Sequence, residues 1–202
     1  MLARVNMAFN ALTSANTDDA LQKTQEDMAP LLAAHFDAIY LNPKLFARIE
    51  TLYQQRDALK LDPESKRLVE YYYLDFVHNG ARLSDADKAK LKDLNKEEST
   101  LDTAFVNKLL AGTKAGALVV DDKAKLAGLT DAEIAAAAQA ASDRKLEGKW
   151  AIPLQNTTQQ PALQSLTDRD VREQLFKASW LRTEHGDAND TRDTIARIAQ
   201  IR

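Results

Sequence analysis

The chain has 202 residues, of which 45% are hydrophobic and 28% are charged, the balance of a soluble globular protein. Its net charge is -3, and its basic and acidic residues are evenly mixed, whereas a nucleic-acid-binding protein would show a basic patch. We therefore expect no nucleic-acid partner. The absence of cysteine excludes disulfides, thiolate metal ligands and a cysteine nucleophile, and is compatible with a cytoplasmic protein. No apolar run reaches the ~20 residues of a membrane helix, so we expect no membrane association.

Two helices are predicted at the amino-terminal end. Periodic apolar residues predict the first over about residues 2–14. "NTDDALQ" then opens a second, with Asn16 or Thr17 as its N-cap. Pro30 falls inside the second pattern, where the loss of a backbone hydrogen bond predicts a kink or a break.

Two further helices are predicted to begin at prolines. Each is predicted to have an N-cap residue followed by a proline at the first helical position: Asn42 and Pro43 in one helix, Asp62 and Pro63 in the other. The second of these helices should stop at residues 79–80, "NG". The residues predicted to form their buried faces are Leu45, Ile49, Leu52 and Leu59, and then Leu68, Tyr72 and Phe76.

A long helix and a small β-ribbon are predicted in the middle of the chain. Ser84 with Asp87 resembles a capping box, and the helix that follows should reach about Gly112. The segments "ALVVDD" (117–122) and "KWAIPL" (149–154) are short and β-branched or aromatic, as strands are. We predict that they pair antiparallel, as the one sheet of a mostly α protein.

The remaining segments are predicted to be helical. Thr130 and Glu133 form a capping box for an alanine-rich helix between the two strands. Helices are also predicted over about residues 167–182 and 189–202. The predicted buried face of the first of these is Val171, Leu175 and Trp180.

The sequence alone does not determine the structural role of the uncharged stretch "LQNTTQQPALQSL" (154–166). Six amide and hydroxyl residues, 155–160, follow the second predicted strand in a chain that is otherwise rich in charge. From these residues alone, the stretch is a solvated loop, a helix start or the wall of a peptide site.

No local catalytic or metal-binding signature is found, and no catalytic, cofactor or metal residue is assigned. His35, His78 and His185 lie far apart, and none belongs to an H-E-x-x-H pair, which would place two zinc ligands on one helical face. We interpret them as structural or surface residues. In "VEYYYLDF" (69–76) successive tyrosines point about 100° apart, so at least one should be in the core.

A cluster of oxygen-bearing side chains near the end of the chain can be interpreted in two ways, as a calcium site or as a helix start. Asp187, Asn189, Asp190 and Asp193 suggest calcium ligands, although the glycine and distal glutamate of an EF-hand loop are missing. The alternative, which we favour, is a helix start with Asn189 as the N-cap and acidic residues at the positive helix end.

Long runs of the sequence resemble the thimet oligopeptidase family of zinc peptidases. They include "LNKEESTLDTAFVNKLL", "LEGKWAIPLQNTTQQPALQSLTDRDVREQLFKASWLR" and "DANDTRDTIARIAQIR", and the earlier "LDPESKRLVEYYYLDFVHNGARLSDADKAKLKDLN" fits as well. The resemblance covers essentially the whole chain and favours the bacterial peptidyl-dipeptidase branch, with the oligopeptidase A branch as competitor.

The resemblance implies a fragment of an enzyme rather than a whole one. In the family, two mostly helical halves face each other across a channel, and an H-E-x-x-H motif holds zinc at its floor. We therefore expect residues 1–202 to be a single helical domain within the amino-terminal half, with Met1 and Arg202 as internal positions. The family's zinc motif is missing from these residues, so zinc is expected in the full-length protein and not in this chain.

The implied role is to wall the channel. The expected partners are the catalytic half of the same polypeptide and short unfolded peptides, from which the full-length enzyme would release C-terminal dipeptides. In this setting we interpret residues 155–160 as a helix entrance, beginning near Thr157 or Thr158 with Pro161 in the first turn, in preference to a direct substrate contact. The competing hypothesis is a free-standing helical interaction module without enzymatic activity.

Overall fold

A computed structural model describes residues 1–202, which form nine α-helices, one short 3-10 helix (Lys123–Leu126) and one two-stranded sheet. The helices are α1 (Leu2–Ala15), α2 (Asp19–Tyr40), α3 (Pro43–Gln55), α4 (Pro63–His78), α5 (Asp85–Ala115), α6 (Asp131–Ser142), α7 (Asn156–Ser165), α8 (Arg169–Trp180) and α9 (Arg192–Ile201). The strands are β1 (Ala117–Val120) and β2 (Trp150–Pro153). The predicted fold class, mostly α with one short ribbon, is confirmed. None of the helices combines the length and apolar character that crossing a membrane would require.

Side-chain caps set most helix starts where the sequence predicts them. Asn42 and Asp62 each accept two backbone N–H bonds from the first turn of α3 and α4, at 3.0 to 3.1 Å. The capping box of Thr130 and Glu133 is present in both directions at the start of α6. For α2 the predicted cap is wrong, because the carboxylate of Asp18 accepts from the backbone of the first turn instead. A charged acceptor makes the stronger hydrogen bond there.

Pro30 does not break α2. The helix runs without interruption for 22 residues, with the proline inside it. A proline removes one backbone donor, whereas the other turns of so long a helix keep theirs. The predicted break is therefore wrong.

The chain divides into two compact units, which are described separately. The first comprises residues 1–103 with 201–202, and the second residues 104–200. Helix α5 contributes its first part to one unit and its last part to the other. The expectation of a single domain over 1–202 stays a prediction.

Aromatic side chains form the core of the first unit. Phe46, Tyr73 and Phe76 are buried there, and the ring of Tyr53 stacks on Tyr73 with centroids 3.7 Å apart. Most of the leucines predicted to be buried, together with Tyr72, are instead exposed. The aromatic residues one position away fill the space, since each buries more surface than a leucine and gains from stacking. The wrongly predicted residues are Leu45, Leu52, Leu59, Leu68 and Tyr72.

The predicted ribbon organises the second unit. Strands β1 and β2 pair antiparallel, with Leu118 opposite Ile152 and Val119 opposite Ala151. Helices α6 and α7 pack on β2, and α8 packs on β1. Trp150, at the start of β2, is half-buried and packs against the same core. The other core residues are Leu118, Val120, Leu126, Ala137, Ile152, Leu154, Ala162, Leu166, Val171 and Leu175.

Trp180 is not part of this core. Val171 and Leu175 are buried as predicted, but Trp180 is 72% exposed and stacks on Phe176 with ring centroids 5.7 Å apart. Five helical steps separate Trp180 from Leu175, which rotates its side chain about 140° away from the buried direction.

We predict that the two neighbouring valines of β1 differ in their importance for stability. Val120 is 4% exposed, whereas Val119 is 39% exposed. Replacing Val120 with alanine removes buried methyl groups and should lower the free energy of unfolding by roughly 2 kcal/mol, with Val119→Ala as the matched control costing less than about 0.5 kcal/mol. Urea titration of both variants checks this, and equal costs would mean that the ribbon is not packed as described.

The terminal helices expose apolar side chains. Helix α1 has no buried residue, and its Val5 and Leu12 are more than half exposed. Ile195 on α9 is also exposed, while Phe9, Ile198 and Ile201 are half-buried. Both terminal helices thus carry large apolar side chains that the rest of the chain leaves exposed.

We predict that the 202-residue chain self-associates through these faces, because burying exposed apolar surface lowers the free energy. Sedimentation velocity across a dilution series should show a concentration-dependent average mass. The double variant Val5→Lys/Leu12→Lys should shift the equilibrium towards monomer, whereas Ala3→Lys/Asn10→Lys adds the same charge to the opposite helix face and should not. A strict monomer with both terminal helices protected from hydrogen exchange would contradict the prediction.

Candidate functional site

The uncharged stretch is the entrance to α7. The helix begins at Asn156 with Gln155 as its N-cap, and no side chain caps it. The hydroxyl of Thr158 donates to the backbone carbonyls of Pro153, at 2.7 Å, and Gln155, at 3.0 Å, and caps no backbone N–H. No protein group accepts from the backbone N–H of Asn156 or Thr157. The helix therefore presents free donors at its positive end.

Gln159 carries an unpartnered oxygen in the first turns of this helix. Its side chain is only 6% exposed, and its Oε1 atom accepts no hydrogen bond. Its Nε2 atom lies 3.4 Å from Oδ1 of Asn156, so the amide reaches back towards the helix start.

Pro161 lies in the second turn of α7, not in the first as predicted.

Two glycines allow the end of α5 to approach the residues that flank this stretch. A Cβ atom on Gly112 would lie 2.8 Å from the carbonyl oxygen of Arg182. A Cβ atom on Gly116 would lie 2.5 Å from Cδ1 of Leu154. Since only glycine tolerates such an approach, these two positions bring α5, Leu154 and Arg182 together.

A groove results from this approach, which we call the α5–α7 groove. Its walls are apolar and its rim is polar, and its volume is about 390 Å³. The guanidinium of Arg182 at the rim is half-buried and has no hydrogen bond or ion pair. The lining residues are Val106, Leu109, Leu110, Thr113, Leu154, Gln155, Asn156 and Arg182.

A second concavity lies on the other side of the stretch. It is apolar, has a volume of about 170 Å³, and is formed by the alanine face of α6, by β2 and by α7. Thr158 and Pro161 line it, but no charged or amide group other than Glu133, already engaged in the capping box, contributes. It offers fewer recognition groups than the α5–α7 groove.

The acidic cluster before α9 organises a loop. The Asp190 carboxylate accepts backbone N–H bonds from Gly186 at 2.7 Å and Arg192 at 3.0 Å, and pairs with the Arg192 guanidinium. The guanidinium and these N–H groups hold the pKa of Asp190 well below its usual range. The predicted N-cap, Asn189, is wrong, because Asp190 contacts the first residue of α9 instead. Asp187 likewise accepts from a backbone N–H, that of Asn189.

Neither the acidic cluster nor the histidines form a metal site in this structure. No group of three or more histidine, aspartate or glutamate side chains is arranged to hold a metal ion. His35 on α2, His78 at the end of α4 and His185 in the loop after α8 are exposed. Zinc, which the resemblance implies for a full-length enzyme, thus finds no ligand set among these residues. Of the clustered tyrosines, Tyr73 is buried, as expected for at least one.

We predict that Asp190→Asn lowers the melting temperature at neutral pH. A carboxylate with a depressed pKa contributes stability above its ordinary pKa of 3.8, and this contribution is lost as the pH falls towards its folded-state pKa. The difference from the native chain should therefore shrink below pH 3.8. Thermal unfolding between pH 7 and pH 3 measures it, with Asp193→Asn as a charge-matched control and a smaller expected drop. A difference that persists unchanged at low pH would contradict the role of the ionised carboxylate.

Sequence reasoning missed the groove. Gly112 was used there only as the predicted end of a helix, and neither Gly116 nor Arg182 was singled out. The available signal was the spacing of two small residues four positions apart, which marks a helix face that another part of the backbone approaches.

Curated relatives of the chain are peptidases of two kinds, dipeptidyl carboxypeptidases and oligopeptidases A. The chain is 52% identical over all 202 residues to the dipeptidyl carboxypeptidase of Escherichia coli (strain K12), and equally to that of Salmonella typhimurium. It covers 30% of the length of each. An organellar oligopeptidase A of Arabidopsis thaliana is 24% identical over 189 residues, 91% of this chain and 24% of that protein. No protein-family model matches.

These relatives confirm the resemblance to the thimet oligopeptidase family, with dipeptidyl carboxypeptidase favoured over oligopeptidase A. The chain nevertheless spans less than a third of the length of the relatives it matches. What those enzymes do as whole proteins is therefore a proposal for this chain.

Proposed function

We propose that the chain is the non-catalytic helical part of a zinc metallopeptidase that hydrolyses short peptides and releases C-terminal dipeptides. The observation that supports this most is the 52% identity of all 202 residues to dipeptidyl carboxypeptidase, combined with the lack of H-E-x-x-H among them. The catalytic half of the same polypeptide would hold the zinc and the general base. We propose a cytoplasmic location, as expected from the cysteine-free composition.

The proposed task of these residues is to wall the substrate channel. A wall must be rigid enough to exclude folded proteins and must offer groups that accept an extended peptide. Packed helices supply the rigidity, and the uncharged entrance to α7 supplies exposed amides and backbone donors. The chemistry itself needs no residue of this chain.

We predict that the 202-residue chain cleaves no peptide and binds no stoichiometric zinc. The complete product of the natural gene should cleave an N-blocked pentapeptide, release its C-terminal dipeptide and lose activity with a chelator. Mass spectrometry of the products and metal analysis of both proteins check this. Turnover or stoichiometric zinc in the 202-residue chain, or a complete product without activity, would contradict the proposal.

The second candidate function is a free-standing interaction module. The exposed stack of Phe176 and Trp180 favours it, because large aromatic side chains are enriched at the centres of protein interfaces. The length of the native open reading frame decides between the two. A frame that continues into an H-E-x-x-H helix excludes the module, whereas a stop codon after Arg202 excludes the peptidase.

A further inference from the structure

We propose that Asn79, at the end of α4, is a deamidation site whose side-chain amide is converted to a carboxylate when this end of the helix opens. Asn79 and Gly80 are the "NG" pair at which the helix stops. No other asparagine of the chain is followed by glycine. The inference concerns the first unit alone and is independent of the proposed function.

The reaction needs only these two neighbouring residues and water. The backbone nitrogen of Gly80, once it has lost its proton, attacks Cγ of Asn79 and forms a carbon–nitrogen bond. The bond from Cγ to Nδ2 breaks, and Nδ2 takes up the proton and leaves as ammonia, so that a five-membered succinimide ring remains. Water then opens the ring at either carbonyl, which gives aspartate or isoaspartate. Glycine favours the attack because no Cβ atom shields its nitrogen.

The folded chain holds the reacting atoms apart. The backbone N–H of Gly80 donates to the carbonyl of Val77 at 3.0 Å. Nδ2 of Asn79 donates to the backbone carbonyl of Asp75 at 2.8 Å and to the carboxylate of the same residue at 3.2 Å. The ψ angle of Asn79 is 12°, which turns the Gly80 nitrogen away from the Asn79 side chain, whereas ring closure needs both on the same side of the Cα–C bond. The reaction therefore requires that this helix end opens.

The fold requires glycine at position 80, and so it also fixes the labile pair. Gly80 has a φ of +91°, and a Cβ atom on it would lie 2.6 Å from Cδ2 of Leu91. The bond from Gly80 to Val77 is joined by one from the N–H of Ala81 to the carbonyl of Phe76, at 3.0 Å, and together they form a common helix-ending motif. Another residue at position 80 would slow the chemistry but would disturb this motif.

The product would weaken the end of α4. A carboxylate at position 79 has no N–H to donate, so both hydrogen bonds to Asp75 are lost. It also places a second negative charge beside the Asp75 carboxylate, at the negative end of the helix. Isoaspartate in addition lengthens the main chain by a methylene group close to the buried Phe76. Because refolding does not reverse the reaction, the loss of stability is permanent.

Peptide mapping by mass spectrometry tests the proposal on the 202-residue chain. Samples are held at mildly alkaline pH, either folded in buffer or unfolded in guanidinium chloride, and the fraction converted at each asparagine is followed with time. In the unfolded chain we expect Asn79 to convert first. In the folded chain its conversion should be at least roughly tenfold slower, because only the open form reacts. Equal rates in the two states, or faster conversion of another asparagine in the unfolded chain, would overturn the proposal.

Hydrogen exchange at the Gly80 amide measures the same opening independently. The N–H that exchanges belongs to the nitrogen that attacks, so the slowing of deamidation on folding should match the protection of this amide to within about an order of magnitude. A well-protected Gly80 amide in a chain that deamidates as fast as the unfolded one would show that the reaction does not depend on this opening.

A variant studied in the unfolded state separates the chemistry from folding. In guanidinium chloride, Gly80→Ala should slow the conversion of Asn79 severalfold, because the added Cβ atom shields the attacking nitrogen. Asn10→Gln on α1 is the control and should leave the rate at Asn79 unchanged. An unchanged rate in Gly80→Ala would contradict attack by the backbone nitrogen.

The variant Asn79→Asp reproduces one product and tests its effect on the folded chain. It should lower the melting temperature by roughly 2–4 °C, because two hydrogen bonds are lost and like charges are brought together. Asn10→Asp makes the same change on α1, which has no buried residue, and should lower it less. An Asn79→Asp variant that melts no lower than the native chain would overturn the proposed consequence of the modification.

Discussion

The close approach of α5 to the ends of the ribbon is the constraint on which the second unit depends. Gly112 and Gly116 lie one helical turn apart, and a methyl group on either would collide with Arg182 or Leu154. Leu154 directly follows β2 and is almost completely buried, so this contact ties the long helix to the sheet. A two-stranded ribbon of four-residue strands is marginal alone, and helices on both strands make it stable here.

The same constraint explains why recognition groups collect at one place. The chain leaves β2, passes Leu154 and enters α7 beside the end of α5, so that the start of α7 and Arg182 line the same groove. Gln159, whose amide lies 3.4 Å from Asn156, is buried and is not among the residues that line it.

The sequence predicted the elements better than it predicted their packing. Local signals such as Asn42 before Pro43, or the box of Thr130 and Glu133, depend on neighbouring residues and are present in the structure. Burial on α3 and α4 depends on which of several apolar residues meets an aromatic partner from elsewhere, and Tyr72 was chosen where Tyr73 is buried. The groove requires the backbone of residue 182 to meet Gly112, a contact across 70 positions that no local pattern encodes.

The stability of the variant Gly112→Ala tests the central claim most directly. In a helix without tertiary contacts at this position, alanine should stabilise by about 1 kcal/mol relative to glycine. The close approach to the Arg182 carbonyl predicts the opposite, a loss of stability, because residue 182 must move away. Urea titration that finds the variant more stable than the native chain would contradict the account.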